Sequence, residues 1–294
     1  MINWMRYKLL YFLLSALVLV PGFYSLVRFG LKPSIDFTGG TLLEIKLSQP
    51  ADLTLLQETA RKLQLPLSSI QPSGENQFLL RFQPITKEQN EEFKNQLKEK
   101  IGGSVDELRF EIVGPILGRE LIKKTVVAIV LAAGFILLYI AYRFQDKKYG
   151  ICAILAMFHD TFILLGTFSL LGHFYGVEVD TLFVTAVLTI LSFSVHDTVV
   201  VYDRIRESLR KHPRADFTYL VNKAITETLT RSLNNSLTII FMLLALYLLG
   251  GQTIRWFVFA LLIGTIAGTY SSTFTAAPLL VVWEQLRARK QKRP

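Results

Sequence analysis

The sequence predicts a polytopic α-helical membrane protein of six transmembrane helices, with one extracytoplasmic α+β domain between helices 1 and 2. Three observations lead there. Of the 294 residues, 51% are hydrophobic and only 19% charged, a balance too apolar for an ordinary soluble chain. Six apolar runs are long enough to cross the hydrocarbon core, which takes about 20 helical residues. Residues 29–120, between the first two runs, carry instead the alternating and helical patterns of a folded soluble domain.

The runs are Leu9–Val27, Leu121–Ala141, Ile151–Leu171, Leu182–Val201, Leu233–Leu249 and Trp256–Trp283. The first is too long for a secretory signal, and Pro21-Gly22-Phe23-Tyr24 is no small-residue cleavage site, so residues 1–28 read as an N-terminus and an uncleaved anchor. Basic residues flank the runs: Arg6 and Lys8; Arg143, Lys147 and Lys148; Arg204 to Arg231; and Arg287, Arg289, Lys290, Lys292 and Arg293 in the tail. All fall on one side if both termini are cytoplasmic, while the opposite loops Gly172–Asp180 and Gly250–Arg255 carry only Arg255. The net charge of +9 therefore fits a membrane surface, and no nucleic acid is expected. A single Cys152 inside an apolar run and four scattered His residues give neither a disulfide framework nor a metal site. No cofactor and no enzyme activity are expected, since no nucleophile–base pair stands out.

In the outer domain, Thr41–Leu47 reads as a strand and Leu53–Leu63 as a helix, its apolar residues at Leu53, Leu56, Ala60 and Leu63. Ser68–Gln71 reads as a short strand, Pro72-Ser73-Gly74 as a turn and Phe78–Phe82 as a strand. Lys87–Ile101 is a charged amphipathic helix stopped at Gly102-Gly103, and Leu108–Val113 closes the set. The order βαββαβ is that of a ferredoxin-like domain.

Residues 121–294 hold spans 2–6, an amphipathic cytoplasmic segment (204–231) and the basic tail. Within Pro213–Arg231 one helical face carries Phe217, Leu220, Val221, Ala224 and Thr228. Two readings stand: a helix lying on the lipid surface, or a short helix packed under the bundle. In the last span, Ala260, Gly264, Gly268, Ser272 and Ala276 recur every fourth residue, a small-residue seam for close helix packing, and Pro278 is expected to kink or end the helix.

Asp197 is the residue that packing does not explain. Val199-Val200-Val201 continues the apolar run beyond it, which places it roughly 10 Å inside the level of Arg204. An ionisable group at that depth reads as functional, unless the helix ends before it. It shares a face with Ile190, Phe193, Ser194, Val201 and Arg204, while Thr185, Thr189, Ser192 and His196 form a second stripe. That second stripe marks either a hydrated path or hydroxyls bonded to their own helix. The counter-charge expected for Asp197 is Arg231, with Asn234, Asn235 and Thr238 leading inward from it; the alternative is an Arg that snorkels to lipid headgroups. His159-Asp160 in the third span is either a proton relay or a helix-to-helix hydrogen-bonding pair. His173 and His212 read as solvated loop residues.

Several stretches together resemble one family. Ile35-Asp36-Phe37-Thr38-Gly39-Gly40-Thr41 looks like the DFTGG signature of the bacterial SecD/SecF proteins. Val113–Leu121, with Gly114, Pro115 and Gly118, is similar to the junction in the SecF branch of that family; His159-Asp160 and Val195–Glu207 match as well. The resemblance covers nearly the whole chain. It implies a bacterial inner-membrane subunit, related to the resistance–nodulation–division superfamily, that forms a heterodimer with SecD. Its partners would be the SecYEG channel, the translocating preprotein and membrane lipids. The activity implied is polypeptide export aided by the proton or sodium motive force; the alternative is a half-transporter exporting small molecules or lipids. The family's ion-coupling acid maps onto Asp197 and its basic partner onto Arg231, although His196 stands where a smaller or amide residue is usual.

Overall fold

The computed structural model describes residues 2–144 and 146–291, so Lys292 and Arg293 of the expected basic tail lie outside the described residues. The chain divides into two compact units, residues 33–127 and the remainder.

The smaller unit is a four-stranded sheet with helices against it. It opens with a short helix, Ile35–Thr38, capped by the Ser34 side chain, which accepts from the Asp36 amide at 3.2 Å. Then follow β1 (Gly40–Leu47), a helix Leu53–Lys62, β2 (Leu67–Gly74), β3 (Gln77–Phe82), a helix Lys87–Ile101 and β4 (Val105–Val113). The sheet order is β2-β3-β1-β4, with every neighbouring pair antiparallel. The alternation sets the buried face: Leu43, Ile45 and Leu47 alternate on β1, and Phe78, Leu80 and Phe82 on β3. Both sets are buried against Leu56, Ala60, Phe93 and Leu97 of the two long helices. Each such side chain contributes roughly 1.5–3 kcal/mol of burial. The Lys87–Ile101 helix starts with a Thr86/Gln89 capping box and stops at Gly102 in the left-handed conformation. Two features differ from the sequence reading: the last strand begins at Val105, three residues before Leu108, and the reversal before β3 lies elsewhere. Pro72-Ser73-Gly74 is not the turn; β2 runs through Gly74 and the chain reverses at Glu75-Asn76, where Asn76 takes a positive φ of 55°. Asparagine tolerates that conformation better than most residues.

Six helices in the described residues are long and apolar enough to cross a membrane. They are numbered here as spans: α1 (Lys8–Phe29), α2 (Pro115–Arg143), α3 (Lys147–Tyr175), α4 (Thr181–Lys211), α5 (Phe217–Leu249), and a last one in two parts, α6 (Arg255–Ser271) and α7 (Ala277–Gln291). A π-helical segment, Ser272–Ala276, joins those two parts. Pro278 therefore does not end the helix. The wider π turn accommodates a residue with no N–H to give, and the helix continues to Gln291.

The core of the larger unit is built by α3, α4 and α6. The seam of small residues in α6 packs on α4 within the chain: a Cβ on Gly264 would overlap Ile190, and one on Gly268 would press on Phe193. A second close approach joins α1 to α3, where Gly22 and Gly166 meet backbone to backbone. By contrast, only 6% of the most apolar window of α2 is buried, so most of its surface is left for lipid or a partner.

The segment 204–231 is not one amphipathic helix. Residues to Lys211 belong to α4, and those from Phe217 open α5, which runs without a break to Leu249. Nor does its apolar face lie on lipid: Val221, Ala224 and Ile225 join the core cluster, at 0–1% exposure. The N-terminus is tied to the same stretch, with the Met5 amide donating to Asn222 Oδ1 at 2.9 Å and Trp4 Nε1 to Thr226 Oγ1 at 3.0 Å. A 33-residue helix that begins among polar residues thus acts as both the packed segment and the span.

Candidate functional site

Two clusters inside the larger unit contain the buried acids Asp197 and Asp160. At the first, Asp197 of α4 is 5% exposed, and its Oδ2 accepts a hydrogen bond of 2.8 Å from the Ser232 hydroxyl of α5. Helix α4 does not end before Asp197 but continues for four more turns' worth of chain to Lys211, so the acid lies well within a span. The two helices run antiparallel. Moving from Asp197–Ser232 toward the far end of α4 leads to Arg204, which bonds Glu227 of α5 at 2.7 Å and Glu207 at 2.6 Å. Asp203 there pairs with Arg143 and with Arg206. The charge cluster expected at the membrane edge is thus internally neutralised.

Arg231 is not the partner of Asp197 in this structure. It precedes Ser232 by one residue, and successive helical residues turn by about 100°. The same geometry that brings Ser232 to the carboxylate leaves Arg231 on the exposed side of α5, together with Asn234 and Asn235. His196 faces outward likewise, while Ser194 is 1% exposed on the interior face with Asp197. The second stripe of α4 is exposed, and Thr185 and Thr189 bond the carbonyls one turn back at 3.1 and 2.8 Å. They follow the local hydrogen-bonding alternative, not an interior path.

The second place joins three helices. His159 Nδ1 lies 2.9 Å from Asp160 Oδ1, and its Nε2 lies 3.0 Å from the Ser15 hydroxyl of α1. Asp160, with no exposed surface, also accepts from Ser271 of α6 at 2.6 Å. Sequence reasoning found His159 and Asp160 but missed Ser15 and Ser271, which look like ordinary small residues in apolar runs. Immediately beyond Ser271 comes the π segment, whose Ala276 carbonyl accepts from the buried Tyr202 hydroxyl at 2.9 Å. Two readings stood for the His-Asp pair; its bonds to α1 and α6 make it at least a cross-helix tie. His173 is no loop residue: it lies in the last turn of α3, stacked on Phe29 with ring centroids 3.7 Å apart.

In the smaller unit the two signature stretches meet. Asp36, Phe37 and Thr38 form the short capped helix, and Gly39 and Gly40 follow with φ of 74° and 145°. Only glycine adopts such values readily. Gly118, just past Gly114 and Pro115 at the start of α2, comes so close to this turn that a Cβ there would lie 2.6 Å from the Phe37 carbonyl oxygen. Both motifs therefore specify one backbone contact.

Two family models match the chain: "Protein export membrane protein SecD/SecF, C-terminal" over residues 92–286, and "SecD/SecF GG Motif" over residues 24–51. The protein translocase subunit SecF of Thermobaculum terrenum is 42% identical over 97% of this chain and 94% of its own length. The chain belongs to the SecF family. Among solved structures, SecDF of Thermus thermophilus, described as a translocon-associated membrane protein, superposes with a TM-score of 0.86 at 32% identity. A super-membrane-facing form of SecDF gives a TM-score of 0.69 at 33% identity. The chain spans 39% of the length of each of those SecDF chains. Membership in the SecF family makes this a multi-pass membrane protein of the protein-translocation machinery.

Proposed function

We propose that this chain is the SecF subunit of a bacterial inner-membrane translocase, acting with SecD to draw polypeptides outward through SecYEG at the expense of the proton or sodium gradient. Both termini are cytoplasmic in this reading, as the Lys and Arg distribution favours. The smaller unit is a ferredoxin-like domain on the opposite side, supported by its β2-β3-β1-β4 order.

One observation carries the coupling role: Asp197 is buried inside a span, and the side chain that hydrogen-bonds it is the neutral Ser232 hydroxyl, not a fixed cation. An ionised carboxylate so placed is held weakly, so gain or loss of an ion there changes the bond between α4 and α5. One charge moved through 100 mV supplies about 2.3 kcal/mol, enough to shift the balance between two packings of a helix pair. Arg231, Asn234 and His196, exposed on the outside of the same two helices, belong against a membrane partner rather than acyl chains, and SecD is the partner that fits.

The test is Asp197→Asn in the SecD-bound protein. It removes the titrating charge while retaining a group that accepts from Ser232, so assembly should be normal while gradient-dependent export is lost. Export that still responds fully to the gradient would refute the coupling role.

A further inference from the structure

Two buried serines beside Asp197 take no part in the reading above. Ser194 lies one turn before Asp197 in α4, and Ser236 one turn after Ser232 in α5. Each is 1% exposed, and neither hydroxyl has a hydrogen-bond partner among the described residues. Hydroxyls in these helices otherwise donate to the carbonyl one turn back, as Thr198, Thr228, Thr265 and Thr269 do at 2.7–3.0 Å. Ser232 and Ser271 donate instead to carboxylates across helices, whereas Ser194 and Ser236, like Thr275 of the π segment, do neither.

The placement follows from the antiparallel pair. The Asp197–Ser232 bond pins α4 to α5. One turn from it, about 5.4 Å along both helices in the same direction, stand Ser194 on one helix and Ser236 on the other. Helix α6 closes the third side, because a Cβ on Gly268 would lie 3.5 Å from the Ser194 Cα, and α5 and α6 also pack together.

We propose that Ser194 and Ser236 hold an ordered water next to Asp197, forming a proton-relay station one turn from the coupling acid. The chemistry selects the ligand. Each hydroxyl carries a proton that needs an acceptor, and a water both accepts and donates. A sodium ion accepts nothing and would leave both hydroxyl protons unpaired. Buried waters make about three hydrogen bonds, and Asp197 supplies a third partner beside the two serines. A proton delivered to this water is matched by one passed to the Asp197 carboxylate, giving a neutral carboxyl and regenerating the water.

The inference rests on Asp197 being the coupling acid, so Asp197→Asn is assayed in parallel. The experiment is export driven by an imposed proton gradient, in vesicles carrying the full chain with SecD. Ser194→Ala/Ser236→Ala should slow gradient-driven export about tenfold, the loss of a hydrogen-bonded link to a charged group. Ser194→Gly/Ser236→Gly should recover most of the rate, because the space vacated by each side chain admits another water. A purely structural role gives the opposite order, since glycine destabilises a helix more than alanine does. Glycine worse than alanine, or an alanine variant exporting like wild type while Asp197→Asn is dead, would overturn the relay and leave the coupling acid standing. A sodium gradient driving wild-type export in place of the proton gradient would also overturn it. Full gradient-driven export by Asp197→Asn would instead remove the reading on which the relay depends.

Discussion

The contact between Gly22 and Gly166 offers the sharpest structural test. A Cβ built on Gly166 would lie 2.6 Å from the Gly22 Cα and 2.9 Å from its carbonyl carbon. That is about 0.8 Å short of the 3.4 Å at which ordinary contact begins. Both obstructing atoms are backbone, so no side chain can swing aside. Gly166→Ala must push α1 away from α3, at a cost of roughly 1–3 kcal/mol for an overpacked site. The displacement reaches further than the substituted residue. Ser25 and Ser169 share a 2.8 Å hydrogen bond across the same pair of helices, and Ser15 reaches His159 at 3.0 Å. Both bonds should lengthen. Gly22→Ala is the milder change, because a Cβ there meets the Gly166 Cα at 3.1 Å. Denaturation of the purified protein in detergent, with both variants side by side, reads the ranking. A Gly166→Ala protein as stable as wild type, or less perturbed than Gly22→Ala, would refute the close-approach argument.

Three more perturbations probe other parts of the chain. Tyr202→Phe removes the donor to the Ala276 carbonyl and should destabilise the protein by about 1–3 kcal/mol, with faster amide exchange in Ser272–Ala276 than in the rest of the last span. Gly118→Ala should loosen the turn at Phe37-Thr38-Gly39 by a similar roughly 1–3 kcal/mol, visible as proteolysis near Ser34 that wild type resists. In the small unit, burial raises the Glu107 carboxyl, but hydrogen bonds from Lys94 and Asn90 outweigh it and hold it below the usual carboxylate range. A carboxyl lowered on folding stabilises above its unfolded value, about 4.3, and that contribution is lost as pH falls through the lower folded value. Acid unfolding of this unit, followed by proteolysis within residues 33–127, should lose part of its pH dependence in Glu107→Gln.

Much of this protein was legible before any coordinates. The spans could be read because a helix crossing hydrocarbon must satisfy its own backbone and be apolar along about 20 residues, a constraint that acts residue by residue. The strands and helices of the small unit were legible from alternation and from a cap at Gly102, which needs no tertiary partner to be recognised. Asp197 stood out for the same reason: a lone acid in an apolar run is visible in one dimension.

What faces it was not. Arg231 is the charge that spacing favours, yet Ser232 is the residue that arrives, because one position along a helix rotates a side chain by about 100° and only the packing of α4 on α5 sets the phase. The union of residues 217–231 with the fifth span, the ties from Asp160 to Ser271 and from His159 to Ser15, and the continuation past Pro278 share that origin. Composition determines that the chain enters a membrane and which group in it is out of place. Which neutral hydroxyl meets that group is decided by the rotation of whole helices against each other, a quantity summed over many contacts and written in no single stretch of sequence.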